Sequence, residues 1–420
     1  MTRRHLATLA LALLAGRALG AQHLLVPMDE AQRNHLKAYG LAYAALQRGE
    51  KGEWLLNYRG GAFLLADAPA TRRRAALDGI ALQPLDDARL SAIRGEIAGA
   101  NMDAVPLEKA PRIAIYTPPT AQPWDDAVTL ALDYAGIPYT RIWDPQVLQG
   151  KLADFEWLHL FHEDFTGQFN KFHIAYRGSP WFINQVNRAT ADAKALGFAN
   201  VPSVKKAVAE RIRGFVENGG FLFAMCGATE TLELAIAGAR VDLASSFADG
   251  TPPDPDADAR FDWSRAFAVQ GARLEQNALV NAMSDIDGHQ VNVPGRRRPL
   301  GTFTLFAFSA KLDPVPTMLV QDHRSVLPDF YGVTTSFTTS LLKPSARILA
   351  TIDGAPLAKY VHGTYGKGAF SFLGGHDPED PQHEVGAPPT DLALYPSSPG
   401  YRLILNNVLF PSAQKKPRKT

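Results

Sequence analysis

Apolar and polar positions along the chain form blocks that predict strands and helices in alternation. The clearest block is a helix from Val204 to Glu217, with an apolar stripe at helical spacing and Ser203 as its N-cap. The next apolar run, Phe221–Met225, is typical of a parallel strand covered on both faces. Strands are also predicted at 112–116, 139–143 and 157–161, with a helix at 125–135. This alternation predicts an α/β fold with a doubly wound, mostly parallel sheet.

The N-terminal part of the chain shows the same alternation more weakly. The runs 23–28, 34–46 and 54–58 predict one β-α-β step, and thus an extra N-terminal α/β segment over residues 21–108. The main domain is predicted at 109–413, with a long irregular insertion at 245–298 and a basic tail at 414–420. A hairpin-like pair is predicted around 359–362 and 368–373.

The first twenty residues have the pattern of a secretory signal peptide. Basic Arg3 and Arg4 precede about ten apolar residues, and small residues follow at the cleavage position before Ala21. The apolar run is too short to cross a membrane. The sequence therefore predicts a periplasmic or secreted protein that has no membrane span once the signal is removed.

Composition narrows the choice of partners. The formal net charge is +1 and the basic residues are dispersed, which argues against a nucleic-acid partner. A small-molecule ligand or substrate is expected, no cofactor is predicted, and the oligomeric state stays open. The single cysteine cannot form a disulfide within the chain, so an exported location makes its thiol worth explaining.

That cysteine, Cys226, follows the apolar strand in the segment Ala224-Met-Cys-Gly-Ala228. Small residues on both sides are what a nucleophile elbow requires at a sharp strand-to-helix turn. A helix beginning near Thr229 would lower the pKa of the thiol, and backbone amides near Gly227 could bind an oxyanion. The alternative is a buried, inert thiol that packs as a small apolar residue.

A second group of polar residues follows the predicted strand 370–373. His376 is followed by Asp377 and Glu379, the composition of a base with an orienting carboxylate. The alternative is a loop in which the two acids cap backbone amides.

A third group ends the predicted strand 157–161. In open α/β sheets, ligands bind in a cleft beyond the carboxyl ends of the strands. Four residues at the rim of this expected cleft are candidates for substrate binding: His162, Glu163, Asp164 and Gln168. Four side chains could also hold a divalent metal: His159, His162, Asp164 and His376. Alternation along a strand sends positions 159 and 162 to opposite faces, so a metal site requires the strand to end before His162.

From Arg112 onward, the order of strands, the Cys226 elbow and the late Gly374-Gly-His resemble the class I glutamine amidotransferase-like superfamily. The resemblance implies a flavodoxin-like sheet, Cys226 as nucleophile and His376 as general base. The family's Gly-x-Cys-x-Gly is Ala-Met-Cys-Gly-Ala here. Asp377 also interrupts the usual His-Pro-Glu, which leaves the orienting acid open between Glu379 and Asp377.

Two narrower resemblances bear on function. The segments 374–378 and 401–407 resemble the trehalose-utilisation (ThuA-like) branch, which generally lacks the nucleophilic cysteine. The segments 221–226, 375–380 and 398–409 are similar to exported bacterial proteins labelled asparagine synthetase B. Asparagine synthetase requires an N-terminal nucleophilic cysteine and an ATP-pyrophosphatase domain. This chain, with its predicted export signal, shows neither a Gly-rich phosphate loop nor a cytosolic address, so the sequence argues against that activity.

Three functional hypotheses follow. The first is a Cys-dependent amidase or hydrolase that uses Cys226 and His376. The second is a non-catalytic periplasmic binding protein for a sugar or a metal. The third is a structural partner in an envelope complex, with the 245–298 insertion as its contact surface.

Overall fold

The fold is described from a computed structural model, which describes residues 23–120, 125–277, 280–289, 298–313, 324–382 and 384–413. The predicted signal peptide and basic tail lie outside the described residues. Within those ranges, no helix has the length and apolar character needed to cross a membrane.

The N-terminal part is built around a five-stranded antiparallel sheet with three helices. The strands are β1 (His23–Val26), β2 (Gly52–Leu56), β3 (Ala62–Ala66), β4 (Gln83–Leu85) and β5 (Asp103–Leu107), in the order β4-β1-β3-β2-β5. The helices are α1 (His35–Gln47), α2 (Pro69–Asp78) and α3 (Asp87–Gly99). Every strand pair is antiparallel.

The described part of the chain beyond residue 108 forms a second, ten-stranded sheet. Five strands lie in its first half: β6 (Ile113–Tyr116), β7 (Thr140–Ile142), β8 (Trp157–Leu160), β9 (Phe221–Met225) and β10 (Thr302–Leu305). Five more follow along the chain: β11 (Val326–Pro328), β12 (Phe337–Thr338), β13 (Arg347–Ile352), β14 (Leu357–Tyr365) and β15 (Gly368–Leu373). The spatial order is β11-β10-β13-β14-β15-β9-β8-β6-β7, and β12 pairs with β14.

Nine helices accompany this sheet among the described residues. They are α4 (Ala127–Ala135), α5 (Asp144–Leu148), α6 (His173–Tyr176), α7 (Pro180–Ala195), α8 (Val201–Glu217), α9 (Gly227–Ala237), α10 (Ser246–Asp249), α11 (Ala257–Arg260) and α12 (Pro399–Leu409). Apolar residues of α1, α4 and α12 share one core, and those of α8 and α9 lie in another.

The prediction of a doubly wound, mostly parallel sheet is wrong. The N-terminal sheet is antiparallel, and the second sheet is mixed, with parallel pairing only from β7 through β6, β8 and β9 to β15. Its remaining pairs are antiparallel. The physical reason is connection length, because a parallel pair needs a crossover of about a dozen residues or more. Only Gly366 and Lys367 connect β14 to β15, so these strands form the predicted hairpin.

The predicted N-terminal β-α-β step is present as β1, α1 and β2, but β3 lies between the two strands in the sheet. Strands β2 and β3 are joined by residues 57–61, too few for a crossover, and they pair as a hairpin. Four residues of this turn have positive φ: Asn57, Arg59, Gly60 and Gly61. Strand β1 pairs with β3 and not with β2, so the helix between β1 and β2 does not connect parallel neighbours.

Local sequence signals predict the start of α8 to within three residues and the bounds of β9 without error. Helix α8 begins at Val201, three residues earlier than predicted, because the N-cap is Asn200, whose side chain accepts a hydrogen bond from the Ser203 amide. Ser203 is therefore not the N-cap. Strand β9 has the predicted bounds and all five of its residues are buried.

The two sheets are joined through helices and buried polar contacts. The guanidinium of Arg402, on α12, is buried and donates hydrogen bonds to the carbonyl oxygens of Met28 and Gly60. The Tyr39 hydroxyl on α1 donates to Asn406 Oδ1 over 2.6 Å. Helix α12 therefore contacts both the N-terminal segment and the larger sheet.

We predict that Arg402→Met lowers the free energy of unfolding by about 3 kcal/mol, because the substitution leaves two buried carbonyl groups without their charged donor. The measurement is urea unfolding followed by circular dichroism. Arg94→Met is the control, since Arg94 pairs with Glu53 at the surface and should cost less than about 1 kcal/mol. Equal losses in the two variants would contradict this account of α12.

Candidate functional site

Cys226 occupies a sharp turn between β9 and α9. Its backbone has φ 52° and ψ −140°, a region that residues with a side chain rarely adopt. A Cβ added to Gly227 would lie 3.0 Å from Asn170 Oδ1 and 3.3 Å from Val333. The turn therefore has the geometry of a nucleophile elbow, with other segments packed closely on it.

A loop of residues 330–335, hereafter the strap, covers this elbow. The Val333 amide donates a hydrogen bond to Cys226 Sγ over 3.2 Å. On its other side, the strap accepts hydrogen bonds from the backbone amides of Gly375 and His376, at its Thr334 and Tyr331 carbonyl oxygens. The strap thus lies between the elbow and the end of β15, and the Cys226 side chain is 0 % exposed.

Lys359, on β14, holds both ends of the strap. Its buried ammonium donates to the carbonyl oxygens of Phe330 and Thr335, and it pairs with the Asp329 carboxylate over 2.6 Å. Burial lowers the pKa of Lys359, and the Asp329 charge opposes that shift. The strap is therefore held by a charged group inside the fold.

Burial sets the protonation state of the thiol. It raises the pKa of Cys226 to about 11, although the backbone amides of Val333, Gly227 and Thr334 act in the opposite direction. Helix α9 begins at Gly227, two residues before Thr229, near which its start was expected. The expected lowering of the thiol pKa by the helix is wrong for this structure, because loss of solvation outweighs the amide contacts.

His376 and Asp377, which follow β15, make different kinds of contact. The His376 ring is buried and contacts the rings of Phe161, with centroids 4.4 Å apart, and His162, 6.3 Å apart. The Asp377 carboxylate accepts hydrogen bonds from the Thr390 and Tyr401 hydroxyls and the Glu379 amide, each over 2.8 Å. Asp377 therefore fixes its own loop against α12, as the capping alternative expects.

Glu379 is partly buried. Burial raises the pKa of its carboxyl group, and a hydrogen bond from Ser398 opposes the rise. The Glu379 amide donates to Asp377, so the two acids are adjacent parts of one loop.

Strand β8 ends at Leu160, which meets the condition set for a metal site at His162. The His159 ring, however, contacts the Phe223 carbonyl oxygen through Nδ1 at 3.1 Å and Asp126 Oδ1 through Nε2 at 3.4 Å. Across the described ranges, no three His, Cys, Asp or Glu side chains are grouped to hold a metal ion. The structure does not assemble His159, His162, Asp164 and His376 into a ligand set.

Asp164 organises the loop that follows β8. Its carboxylate accepts hydrogen bonds from the backbone amides of Thr166, Gln168 and Asn170. Gln168 in turn accepts from the amide and hydroxyl of Ser245, both over 2.9 Å. Asp164 and Gln168 therefore use their polar atoms on the protein itself.

This loop contains a backbone strain that the sequence does not reveal. Phe169, Asn170 and Lys171 have φ values of 55°, 53° and 55°, which cost roughly 1–2 kcal/mol per residue. Asn170 Nδ2 donates to the His162 carbonyl oxygen over 3.0 Å, which ties the strained turn to the end of β8. Such strain is typical of functional sites.

A cleft of about 830 Å³ opens above the carboxyl ends of β6, β7 and β8. Ligands of α/β proteins commonly occupy this position. The charged wall residues are Asp125, Asp126, Asp133, Glu163, Arg141 and Arg188. Trp143, Phe161 and Tyr116 add aromatic surface, so the wall is mixed and acidic overall.

A second, smaller cavity of about 30 Å³ lies beside the cleft. Trp143, His162, Glu163 and Arg188 line both spaces. The predicted catalytic residues line neither of the two: Cys226, His376, Asp377 and Glu379.

Glu163 is the acid at the junction of the two cavities. It is 6 % exposed, and burial raises the pKa of its carboxyl group to about 8, against the opposing charge of Lys205. His162 Nε2 lies 3.9 Å from Glu163 Oε1. Burial therefore favours the protonated carboxyl group, which can donate as well as accept a hydrogen bond.

Several residues of this region are absent from the sequence-based candidates. Asp126 caps α4 through the amides of Val128 and Thr129, and the prolines before that helix only indicated a loop. Lys205 is buried against Asp144 and the Tyr116 hydroxyl. The position of Trp143 directly after β7 could have identified it, but nothing local distinguishes Lys205 from a surface lysine of α8.

No family model matches this chain, and neither does any curated protein. Among solved structures it is similar to the cytoplasmic protein STM3548 from Salmonella typhimurium, at 11% identity over 72% of this chain and 100% of that one, with a TM-score of 0.34. The cytoplasmic protein STM1381 from Salmonella typhimurium LT2 shares 14% identity over 72% and 99% of the two chains, with a TM-score of 0.34. A β-galactosidase from Bacillus circulans sp. alkalophilus shares 11% over 64% and 29%, with a TM-score of 0.25. Likenesses at these TM-scores carry no argument about function.

We predict that Glu163→Gln stabilises the protein increasingly as the pH rises from about 4.5 to about 8. In that window the folded wild type keeps a proton on Glu163 that the unfolded chain has lost, so its stability falls as the pH rises. The neutral amide avoids this loss, a gain of up to about 4 kcal/mol at pH 9 and almost none at pH 4. Urea unfolding across this range measures it.

Glu156→Gln is the control of opposite sign. Partial burial raises the pKa of Glu156, but hydrogen bonds from Arg112 outweigh this and lower it to about 2. Its ionised form therefore stabilises the fold above about pH 4.5, and this contribution is lost as the pH falls through 2. Glu156→Gln should destabilise at pH 7. A pH-independent effect of Glu163→Gln would refute the raised pKa of Glu163.

Proposed function

We propose that this protein binds a small, uncharged, polyhydroxylated molecule such as a sugar in the cleft above β6, β7 and β8. One observation carries the proposal: the cleft is open and lined by polar and aromatic groups, whereas Cys226 is enclosed beneath the strap and lines neither described cavity. The cleft, and not the thiol, is accessible to a ligand.

The chemistry of the wall supports this class of ligand. Carboxylates accept hydrogen bonds from hydroxyl groups, and Trp143 offers apolar surface to the C–H face of a sugar ring. Apart from Glu163, the described wall holds three acids and two arginines, which gives an anionic ligand such as a sugar phosphate little electrostatic attraction. A cleft of about 830 Å³ is within the size range of small-molecule sites.

The resemblance to the glutamine amidotransferase-like superfamily and its trehalose-utilisation branch remains a proposal, as does export to the periplasm. Both are compatible with a sugar-binding role. The metal alternative receives no support from the grouping of side chains in the described residues.

We predict that isothermal titration calorimetry detects binding of neutral hexoses, and that Cys226→Ser leaves the dissociation constant unchanged. Trp143→Ala should weaken binding at least tenfold, a loss of about 1.4 kcal/mol. Trp181→Ala is the matched control, because Trp181 packs on Phe182 and lines neither described cavity. Loss of binding in Cys226→Ser, or no binding of any sugar by the wild type, would refute the proposal.

A second function, a Cys-dependent amidase or hydrolase, is favoured by the backbone of the elbow. The φ and ψ angles of Cys226 are those of a nucleophile turn, and His376 follows β15, the parallel neighbour of β9. In this reaction Cys226 Sγ attacks a carbonyl carbon while His376 takes the thiol proton, and the amides near Gly227 stabilise the oxyanion. The strap must move aside first.

Alkylation of the only cysteine by iodoacetamide tests this second function. Wild type should react slowly at pH 7.5, and Lys359→Met combined with Asp329→Asn should react at least tenfold faster, because the strap loses its anchor while no unpaired charge stays buried. Lys343→Met is the control, since Lys343 anchors the Ala266 carbonyl group instead.

The role of His376 is tested in the same background. Adding His376→Ala should slow alkylation near neutral pH and shift its pH profile upward, because the thiol loses its base. An unchanged profile would exclude a Cys226–His376 pair.

A further inference from the structure

The smaller cavity beside the cleft, hereafter the inner chamber, has a composition unlike that of the cleft. Besides Glu163 and Arg188, its wall includes Gln185 and Ala189 from α7 and Lys205 from α8. The inner chamber is therefore a mainly apolar pocket beside Glu163, with a few polar groups in its wall, between the ends of the strands and two helices.

Its size limits what it can hold. To hold one water-sized group, a cavity needs about 10–15 Å³ of space that the centre of such a group can occupy. At about 30 Å³, the inner chamber fits about two such groups and no more. A carbon with one attached oxygen matches this size, whereas a phosphate group or a second sugar ring does not.

The Glu163 carboxyl group in this mainly apolar wall favours a ligand group that is small and can form a hydrogen bond. Glu163 is buried, and no described residue donates a hydrogen bond to its carboxyl group. Lys205 is already engaged by Asp144 and the Tyr116 hydroxyl. A buried carboxyl group that accepts no hydrogen bond from the protein normally meets water or a ligand.

The backbone that carries Glu163 is held firmly. The Thr231 hydroxyl donates to the Glu163 carbonyl oxygen over 2.9 Å, and Asn170 donates to the His162 carbonyl oxygen over 3.0 Å. A group placed in this way can select a ligand by position, because it loses little entropy on binding.

We propose that the inner chamber is the subsite for the hydroxymethyl group of an aldohexose, whose primary hydroxyl hydrogen-bonds to the Glu163 carboxyl group. The inference rests on the proposed sugar binding in the cleft and names the ligand class more narrowly. The ring occupies the cleft beside Trp143, and the exocyclic carbon and its oxygen pass Glu163 into the inner chamber. Pentoses, which lack this group, leave the inner chamber unfilled.

The first test compares analogues on the wild-type protein by isothermal titration calorimetry. The probes are glucose, galactose and mannose, each set against xylose, which lacks the hydroxymethyl group. The best hexose is then set against its 6-deoxy form, which lacks only the primary hydroxyl. We expect that hexose to bind at least tenfold more tightly than xylose and than its 6-deoxy form.

A variant that fills the inner chamber gives the second arm. Ala189→Leu should remove the preference for the hexose over xylose while xylose still binds. Ala191→Leu is the matched control, because Ala191 is an exposed alanine of the same helix outside the inner chamber. Circular dichroism verifies that both variants are folded.

Each outcome decides a different point. Equal affinity of the wild type for hexoses and xylose overturns the inner-chamber subsite and leaves sugar binding in the cleft standing. A hexose preference that persists in Ala189→Leu also overturns the subsite. Absence of binding by hexoses and pentoses alike overturns both proposals, and a preference lost in Ala189→Leu but kept in Ala191→Leu supports both.

Discussion

The buried ammonium group of Lys359 fixes the arrangement on which the site depends. It binds two carbonyl groups of the strap and the Asp329 carboxylate, inside a region where an unpaired charge would be costly. The strap in turn donates its Val333 amide to Cys226 and lies against the end of β15. Lys359 belongs to β14, which pairs antiparallel with both β13 and β15, whereas the elbow follows β9, which pairs parallel. The strap that encloses the elbow is therefore held by the antiparallel part of the mixed sheet. The thiol is consequently protonated and enclosed. The part of the sheet edge that is open to a ligand lies at the carboxyl ends of β8, β6 and β7.

The accessible part is built from three strand ends that contribute different chemistry. The end of β6 leads to Asp126, which caps α4 and approaches His159, so this acid is already engaged. The end of β7 leads to Trp143, which stacks on Tyr116 with ring centroids 4.6 Å apart. The end of β8 leads to Glu163, whose carboxyl group lies 3.9 Å from His162 Nε2 and accepts no hydrogen bond from the other described residues. An acid kept neutral by burial, beside an ionised acid and an aromatic surface, suits recognition of hydroxyl groups better than recognition of charge.

The sequence predicted the elements whose causes are local. The apolar run of β9, the stripe of α8 and the β14–β15 hairpin follow from periodicity and turn residues within each segment. Strand direction in the N-terminal sheet does not follow from the apolar pattern, because it depends on the short 57–61 connection that makes β2 and β3 a hairpin. The covering of Cys226 depends on a contact between distant parts of the chain, since Val333 lies 107 positions away from it in the sequence. No local pattern indicates that contact, or that Asp164 binds its own loop and not a ligand.

The strained turn at 169–171 connects these observations. Three consecutive residues with positive φ store energy that the Asp164 carboxylate offsets through three backbone amides. The same turn places Asn170 against the His162 carbonyl group and next to Gly227, so it contacts both the cleft and the elbow. A fold selected for stability alone would not keep such a turn beside a buried acid whose ionisation destabilises it. Strain and a buried carboxyl group at one strand end therefore favour the region around Glu163, and not Cys226, as the place for the proposed ligand recognition.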